Sequence, residues 1–206
     1  MSLRTFIHDA IGFLQYGDLP TGYYVKRGMK VGRNFSRQSG TKFDPSNCWL
    51  IEIGDNVRMA NRVQILAHDF SPMHYTGYAR FGKVIIGNRV WIGANTTVLM
   101  NVRIGDDVII GANSLVNKDI PSGVVVGGVP ARVICSTEEY RQKQMQLISE
   151  CPNYTKADLT YGGKMTKEKQ QEILRQMDSN PHRIFYAKFR PFVRQIGTGE
   201  CKKIKI

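Results

Sequence analysis

From Ile86 onward an aliphatic residue stands at every sixth position: Ile86, Ile92, Val98, Ile104, Ile110 and Val116. An α-helix returns its apolar positions every 3.6 residues and an ordinary strand every second one, so neither makes six the repeating unit. A fixed six-residue period predicts a solenoid of short parallel strands, a β-helix. Glycine follows the aliphatic mark at Gly87, Gly93, Gly105 and Gly111, but Leu99 and Asn117, 18 positions apart, take that slot in the other two hexads. Three hexapeptides therefore make one coil with three unlike faces. Ile86–Thr97 and Ile104–Leu115 are near copies one coil apart. The fifth residues, Val90, Thr96, Val102, Val108, Ser114 and Ile120, are β-branched or small, which suits short strands between tight corners.

An earlier coil runs from Ile53 through Met59 and Ile65 to Phe70, with Leu66 marking the third face. The period then fails for the 15 residues Ser71–Ile85 and restarts in register at Ile86. That segment, with Pro72, Gly77, Gly82 and three aromatic residues, reads as a loop thrown out of one corner directly after His68. A long insertion in a tight repeat is more often functional than incidental. Upstream, Val31-Gly32-Arg33-Asn34-Phe35-Ser36 is the clearest hexad of a degenerate first coil. Leu3, Phe6, Ile7, Ala10, Ile11 and Leu14 have helical spacing. Ser136 to Glu139 resembles a capping box before a helix over roughly 137–150, and Thr166 caps a second helix to about Met177. The expected organisation is an N-terminal helix and linker over 1–27, a β-helix over 28–135 with an inserted loop at 71–85, and a helical extension over 136–206.

Charge adds a modest constraint. The chain carries +12 overall, with +4 in residues 1–50, +2 in 51–135 and +6 in 136–206. The excess lies largely outside the repeat, where it raises the local concentration of anionic ligands or solvates helix surfaces. The tail His182–Arg194 mixes basic and aromatic residues and is a candidate for peripheral membrane contact or for packing back on the solenoid. No nucleic-acid partner is expected. Cys48, Cys135, Cys151 and Cys201 form no CxxC pair and have no metal-ligand spacing. No signal-peptide pattern and no apolar run of membrane-spanning length occurs, so a reducing cytoplasm is the expected compartment.

The text Ile86-Gly87-Asn88-Arg89-Val90-Trp91-Ile92-Gly93-Ala94, with Asn117-Lys118-Asp119-Ile120-Pro121 and Gly128-Val129-Pro130-Ala131-Arg132-Val133-Ile134, resembles the hexapeptide-repeat acyltransferases. Within them it is most similar to the branch of galactoside, maltose and polysaccharide O-acetyltransferases. The likeness covers roughly residues 28–135 and leaves 136–206 unmatched. It implies a mainly β chain folded as a left-handed parallel β-helix, and a homotrimer with active sites between subunits. It also implies an enzyme that uses acetyl-CoA as co-substrate and needs no metal.

A hydroxyl attacks a thioester only slowly unless a base takes its proton, and histidine has the fitting pKa. The chain holds His8, His68, His74 and His182. His68 stands where the period breaks, and the resemblance assigns the catalytic base to that place; His74 is the lesser candidate for lining the same cleft. The resemblance places acetyl-CoA contacts at Trp91, Gly93, Ala94, Ala112, Asn117, Lys118 and Arg132. The small residues let backbone approach the pantetheine arm, and the cations suit the phosphates. On the acceptor side the chain departs from the branch, with Gln38 and Cys48 where that branch carries Asn and Asp. Asn34, Arg37 and Gln38 are the acceptor-side candidates. The expected acceptor is a sugar, nucleotide sugar or lipid-linked saccharide hydroxyl. An amino sugar or small amine is the alternative, and a zinc carbonic anhydrase or a non-enzymatic scaffold on the same solenoid are minor ones.

Overall fold

The computed structural model describes residues 17–155, 159 and 165–188. The expected N-terminal helix over 3–15, residues 189–194 of the basic tail and Cys201 lie outside them. A short helix, α1 (Thr21–Lys26), leads into the first coil, made of β1 (Lys30–Val31), β2 (Ser36–Arg37) and β3 (Lys42–Phe43). The second coil is β4 (Ile51–Ile53), β5 (Arg58–Met59) and β6 (Gln64–Ile65). A hairpin follows, β7 (His68–Asp69) and β8 (Arg80–Phe81), with α2 (Met73–Thr76) in its tip. The third coil is β9 (Val84–Ile86), β10 (Trp91–Ile92) and β11 (Thr97–Val98), and the fourth is β12 (Val102–Ile104), β13 (Ile109–Ile110) and β14 (Leu115–Val116). Finally β15 (Val124–Gly127) opens another coil, and β16 (Arg132–Ser136) folds back on it antiparallel.

Equivalent strands stack into three sheets: β1-β4-β9-β12, β2-β5-β10-β13-β15-β16 and β3-β6-β11-β14. Every pair in them is parallel except β15–β16. The sixth-residue marks are the core: Ile53, Met59, Ile65, Ile86, Ile92, Val98, Ile104, Ile110 and Val116 all point inward and are buried. Asn and Asp recur at the corners in left-handed backbone, as at Asn56, Asn95, Asn101 and Asn113, because their short polar side chains tolerate it better than most.

The stacking register measures the insertions. Ile86 pairs with Ile104, 18 residues on, but Val31 pairs with Ile53 across 22 and Ile53 with Ile86 across 33. The first coil therefore carries about four extra residues and the second about 15. Both sets leave the solenoid at one corner, between its third sheet and its first. The strand β9 begins at Val84, so the inserted segment ends two residues earlier than the restart of the period at Ile86 indicates, and its neck includes His68 and Asp69.

The open end of the core is closed from within the first coil. Arg37 occupies the inward column, in register with Met59 and through it Ile92. Its guanidinium donates to the carbonyls of Thr41 (2.7 Å) and Leu19 and to Thr21 Oγ1 (3.1 Å). Tyr24, buried, packs its ring edge-on against Phe43 at 5.1 Å.

The chain divides into two units between Glu138 and Glu139. The helix α3 (Thr137–Glu150) starts directly after β16. In the second unit β17 (Asn153–Thr155), α4 (Lys167–Ser179) and β18 (Tyr186–Lys188) form a parallel strand pair with its connecting helix, over buried Cys151, Tyr154 and Ile173. Thr166 caps α4, its hydroxyl accepting from the Lys169 N–H at 3.2 Å. Among the described residues no helix is long and apolar enough to cross a membrane.

Glycines in the same slot of successive coils differ in what they face. A Cβ at Gly93 would lie 2.5 Å from the Ala112 nitrogen, whereas one at Gly111 would find its nearest neighbour at 3.5 Å. Gly93→Ala is expected to cost about 1–3 kcal/mol through forced backbone movement. Gly111→Ala should stay within about 0.5 kcal/mol of the parent. Thermal unfolding of both variants checks the pair; equal losses would contradict the stacking.

Candidate active site

The corner that ejects both insertions gathers the reactive groups. Phe43 is the last inward mark of the first coil, and the next residue, Asp44, is held in the ladder by its N–H donating to the Ile65 carbonyl at 3.1 Å. The run Asp44-Pro45-Ser46-Asn47 then turns. Asp44 Oδ1 accepts from the backbone N–H groups of Ser46 (3.1 Å) and Asn47 (2.9 Å), the turn chemistry expected of an aspartate followed by proline. One coil on, His68 leaves the corner into β7, where it pairs with Phe81. The turn uses Oδ1, and Oδ2 takes a hydrogen bond from His68 Nδ1.

Burial decides the character of this pair. The Asp44 side chain is 0% exposed and that of His68 31%. Burial works to raise the Asp44 pKa, but the bond from His68 and the Asn47 donors outweigh it, holding the carboxyl below its ordinary value. An ionised carboxylate can only accept, so Nδ1 carries a proton, and in the neutral imidazole the lone pair is then on Nε2. No described residue bonds Nε2. The ring is also pinned sideways, edge-on to Phe70 at 5.0 Å and tilted against Phe81 at 6.2 Å. At the hairpin neck Asp69 pairs with Arg80, and that bond, with the Ser71 N–H, brings the Asp69 carboxyl down to about 2. The arrangement suits a base whose tautomer and direction are both preset.

The other candidates divide between two corners. Asn117 and Lys118 lie on the His68 corner two coils further along, exposed, lining a cleft of about 60 Å³ with Ala131 and Val133. Arg132 stands between those two in sequence and is exposed. Trp91 projects from the second sheet, 44% exposed, and Gly93, Ala94 and Ala112 follow at the corner between the second and third sheets. Ala94 and Ala112 are stacked neighbours there, the Asn113 N–H donating to the Ala94 carbonyl at 2.8 Å. Within one chain these two groups flank opposite edges of the third sheet.

The acceptor-side candidates are not brought to His68 within one chain. Asn34 sits at the corner between the first and second sheets, donating to Asn56 Oδ1 at 3.0 Å, and Gln38 is exposed just beyond β2. Arg37 stands on a core mark, and its guanidinium donates to Leu19, Thr21 and Thr41. Cys48 is likewise core, 0% exposed against the Tyr24 carbonyl. His74 lies on α2 against Tyr75, with ring centroids 4.7 Å apart. Among the described residues no group of three or more His, Cys, Asp and Glu is placed to hold a metal ion.

Asp44, Phe70 and Phe81 escaped the sequence reading. The signal for Asp44 was present, since the marks Val31, Arg37 and Phe43 are six apart and the next, Ile53, is ten further on. An arginine on the middle mark obscured that coil.

The family model for the bacterial transferase hexapeptide, six repeats, matches residues 83–118. YvoF of Bacillus subtilis (strain 168) is 41% identical over 115 residues, 56% of this chain and 64% of that protein. The galactoside O-acetyltransferase of Escherichia coli (strain K12) is 37% identical over 137 residues, 65% of this chain and 66% of that enzyme. Protein CapG of Staphylococcus aureus is 37% identical over 137 residues, 64% of this chain and 77% of CapG. The chain thus spans just under two thirds of the first two of these relatives. A hexapeptide-repeat acetyltransferase of Vibrio cholerae O1 biovar eltor shares the fold with a TM-score of 0.51 at 24% identity, over 66% of this chain and 80% of that one. With the sixth-residue core, the three stacked sheets and these matches together, the chain belongs to the hexapeptide-repeat transferase family.

Proposed function

We propose that this protein is an acetyl-CoA-dependent O-acetyltransferase acting on a saccharide hydroxyl. The observation that carries the reading is the His68–Asp44 pair at the corner that ejects both insertions. The relative named a galactoside O-acetyltransferase supports the choice of acceptor class. His68 Nε2 takes the proton of the acceptor hydroxyl as its oxygen bonds to the thioester carbonyl carbon. The oxyanion that forms collapses, the C–S bond breaks, and the proton passes from His68 to the leaving thiolate, releasing CoA and the acetyl ester. Asp44 holds the tautomer and stabilises the imidazolium in between.

Ala94 and Ala112, with Gly93 and Trp91 beside them, take the pantetheine arm; Asn117, Lys118 and Arg132 take the polar and phosphate end. Because these sets flank opposite edges of one sheet, a whole site combines the His68 corner of one copy with the alanine corner of another. That fits assembly as a homotrimer; the left-handed coil is what the family resemblance implies, and the cytoplasm is the compartment proposed with it.

His68→Ala is expected to lower kcat by about 10²–10⁴-fold while leaving acetyl-CoA affinity in calorimetry unchanged. Turnover retained by this variant, followed as thiol release with a saccharide acceptor, would sink the assignment. Asp44→Asn should lower kcat by about 10–100-fold at constant KM for acetyl-CoA, the range seen when an orienting partner is lost.

The same pair gives a pH signature. The Asp44 pKa is depressed, so its contribution to folding is complete above the ordinary carboxylate range and is lost as pH falls through the lower folded value. In urea unfolding, the stability difference between parent and Asp44→Asn should be largest near neutrality and shrink in acid. A difference that grows in acid would refute it.

A further inference from the structure

We infer that Asn47 is a positioning residue, the third member of a His68–Asp44–Asn47 chain, whose side-chain amide keeps Asp44 ionised and aimed while His68 carries the acceptor proton. This rests on the acetyltransferase reading above and adds to it a residue that acts through Asp44.

Local structure leaves that side chain unaccounted for. Asn47 stands at the start of the short 3₁₀ turn Cys48–Leu50, where an asparagine ordinarily caps by accepting from a backbone N–H of the turn. Its side chain makes no such bond. The turn is held without it: the Asn47 carbonyl accepts from the Leu50 N–H at 2.9 Å, and the Asn47 N–H donates to Asp44 Oδ1 at 2.9 Å. Those are backbone groups that any residue but proline supplies. The fold therefore uses the backbone of Asn47 and not its amide.

The amide is turned onto the His68–Asp44 pair instead. Nδ2 lies 3.3 Å from Asp44 Oδ1 and 3.2 Å from Oδ2, straddling the carboxylate. Ionised oxygens only accept, so the amide nitrogen is the end that faces them. The same Nδ2 is 3.4 Å from His68 Nδ1. With Nδ1 protonated these are two donors, and both serve Oδ2. Asp44 cannot turn its carboxylate without loosening bonds at both oxygens. The neighbouring Cys48 takes no part, its thiol donating to the Tyr24 and Arg27 carbonyls.

The grip has a chemical consequence. Once Nε2 has taken the acceptor proton, the Nδ1 proton could pass to Asp44 and leave a neutral ring, which is too weak an acid to protonate a thiolate quickly. Donors to a carboxylate favour its ionised form, so Asn47 keeps the Nδ1 proton on the imidazolium. The acceptor proton then goes from Nε2 to the thiolate sulfur, and the Nδ1 proton never leaves the ring.

Asn47→Ala and Asn47→Asp test this in the full chain, alone and combined with Asp44→Asn. Thiol release with a saccharide acceptor should fall about tenfold in kcat for each, at constant KM for acetyl-CoA and with thermal unfolding unchanged. Added to Asp44→Asn, either change should cost nothing further, since Asn47 acts only through that carboxylate. Rates close to the parent's, losses that multiply with that of Asp44→Asn, or failure of Asn47→Ala to fold overturn the inference. Nitrogen NMR of the ring, assigned by the signals missing from His68→Ala and taken where the imidazole is neutral, needs no substrate. The parent should carry its proton on Nδ1, and Asn47→Ala should show a share of the Nε2–H form; an unchanged spectrum also overturns the role. A parent that binds no acetyl-CoA in calorimetry defeats the proposed function and leaves the ring spectrum to decide on Asn47. Activity lost in His68→Ala but kept in both Asn47 variants defeats the third member alone.

Discussion

Coils of this solenoid touch backbone to backbone at their corners, and that contact governs everything built on them. A Cβ at Gly54 would come within 2.6 Å of the Gly87 carbonyl oxygen, and one at Gly87 within 2.7 Å of the Gly105 carbonyl oxygen. Nothing can be added inside a coil without prising the stack apart, so extra residues must leave at a corner and return in register. In the described chain both insertions use the corner between the third and first sheets, on consecutive coils. Asp44 and His68 meet because each stands at the root of one of them.

Where the period is regular, the sequence can be read almost atom by atom. The marks from Ile86 to Val116 announce the inward column, the three faces and the restart after the hairpin, because burial at every sixth residue admits little but aliphatic side chains. The same reading places His68 at a break and stacks Ala94 on Ala112. It falters in the first coil, where Arg37 takes a core mark. A part-buried guanidinium is tolerable there because backbone carbonyls and a threonine hydroxyl receive its donors, and two of those partners, Leu19 and Thr21, come from a segment no local pattern joins to it. Asp44 was hidden for a related reason: its partner lies 24 residues away, across an irregular coil.

The division of labour along the axis follows from the same geometry. Proton chemistry belongs to the first two coils, which carry the insertions and so can hold a carboxylate beneath a histidine. The regular third and fourth coils offer a smooth corner where small residues repeat, which suits a long ligand lying parallel to the axis. The hairpin stays with the first of these regions, its neck fixed by Asp69 and Arg80 and its phenylalanines gathered about His68. One stack thus carries a rigid base on one corner and a row of small residues on another.

Position within the period also decides which cations are available for binding. Arg37 is on a mark, faces the core and is used up by the fold. Arg89 is at a corner and is held by Asp107 at 2.6 Å and, more loosely, by Asp106. Lys118 lies two residues past the mark Val116, exposed beside a cleft. Three basic residues that look alike in composition therefore have three fates, set by their distance from the nearest inward aliphatic. Net charge alone points to anions in general. The period narrows that to a cation at the His68 corner, two coils from the base, which is the separation an anionic ligand would have to bridge to bring its reactive end to Nε2.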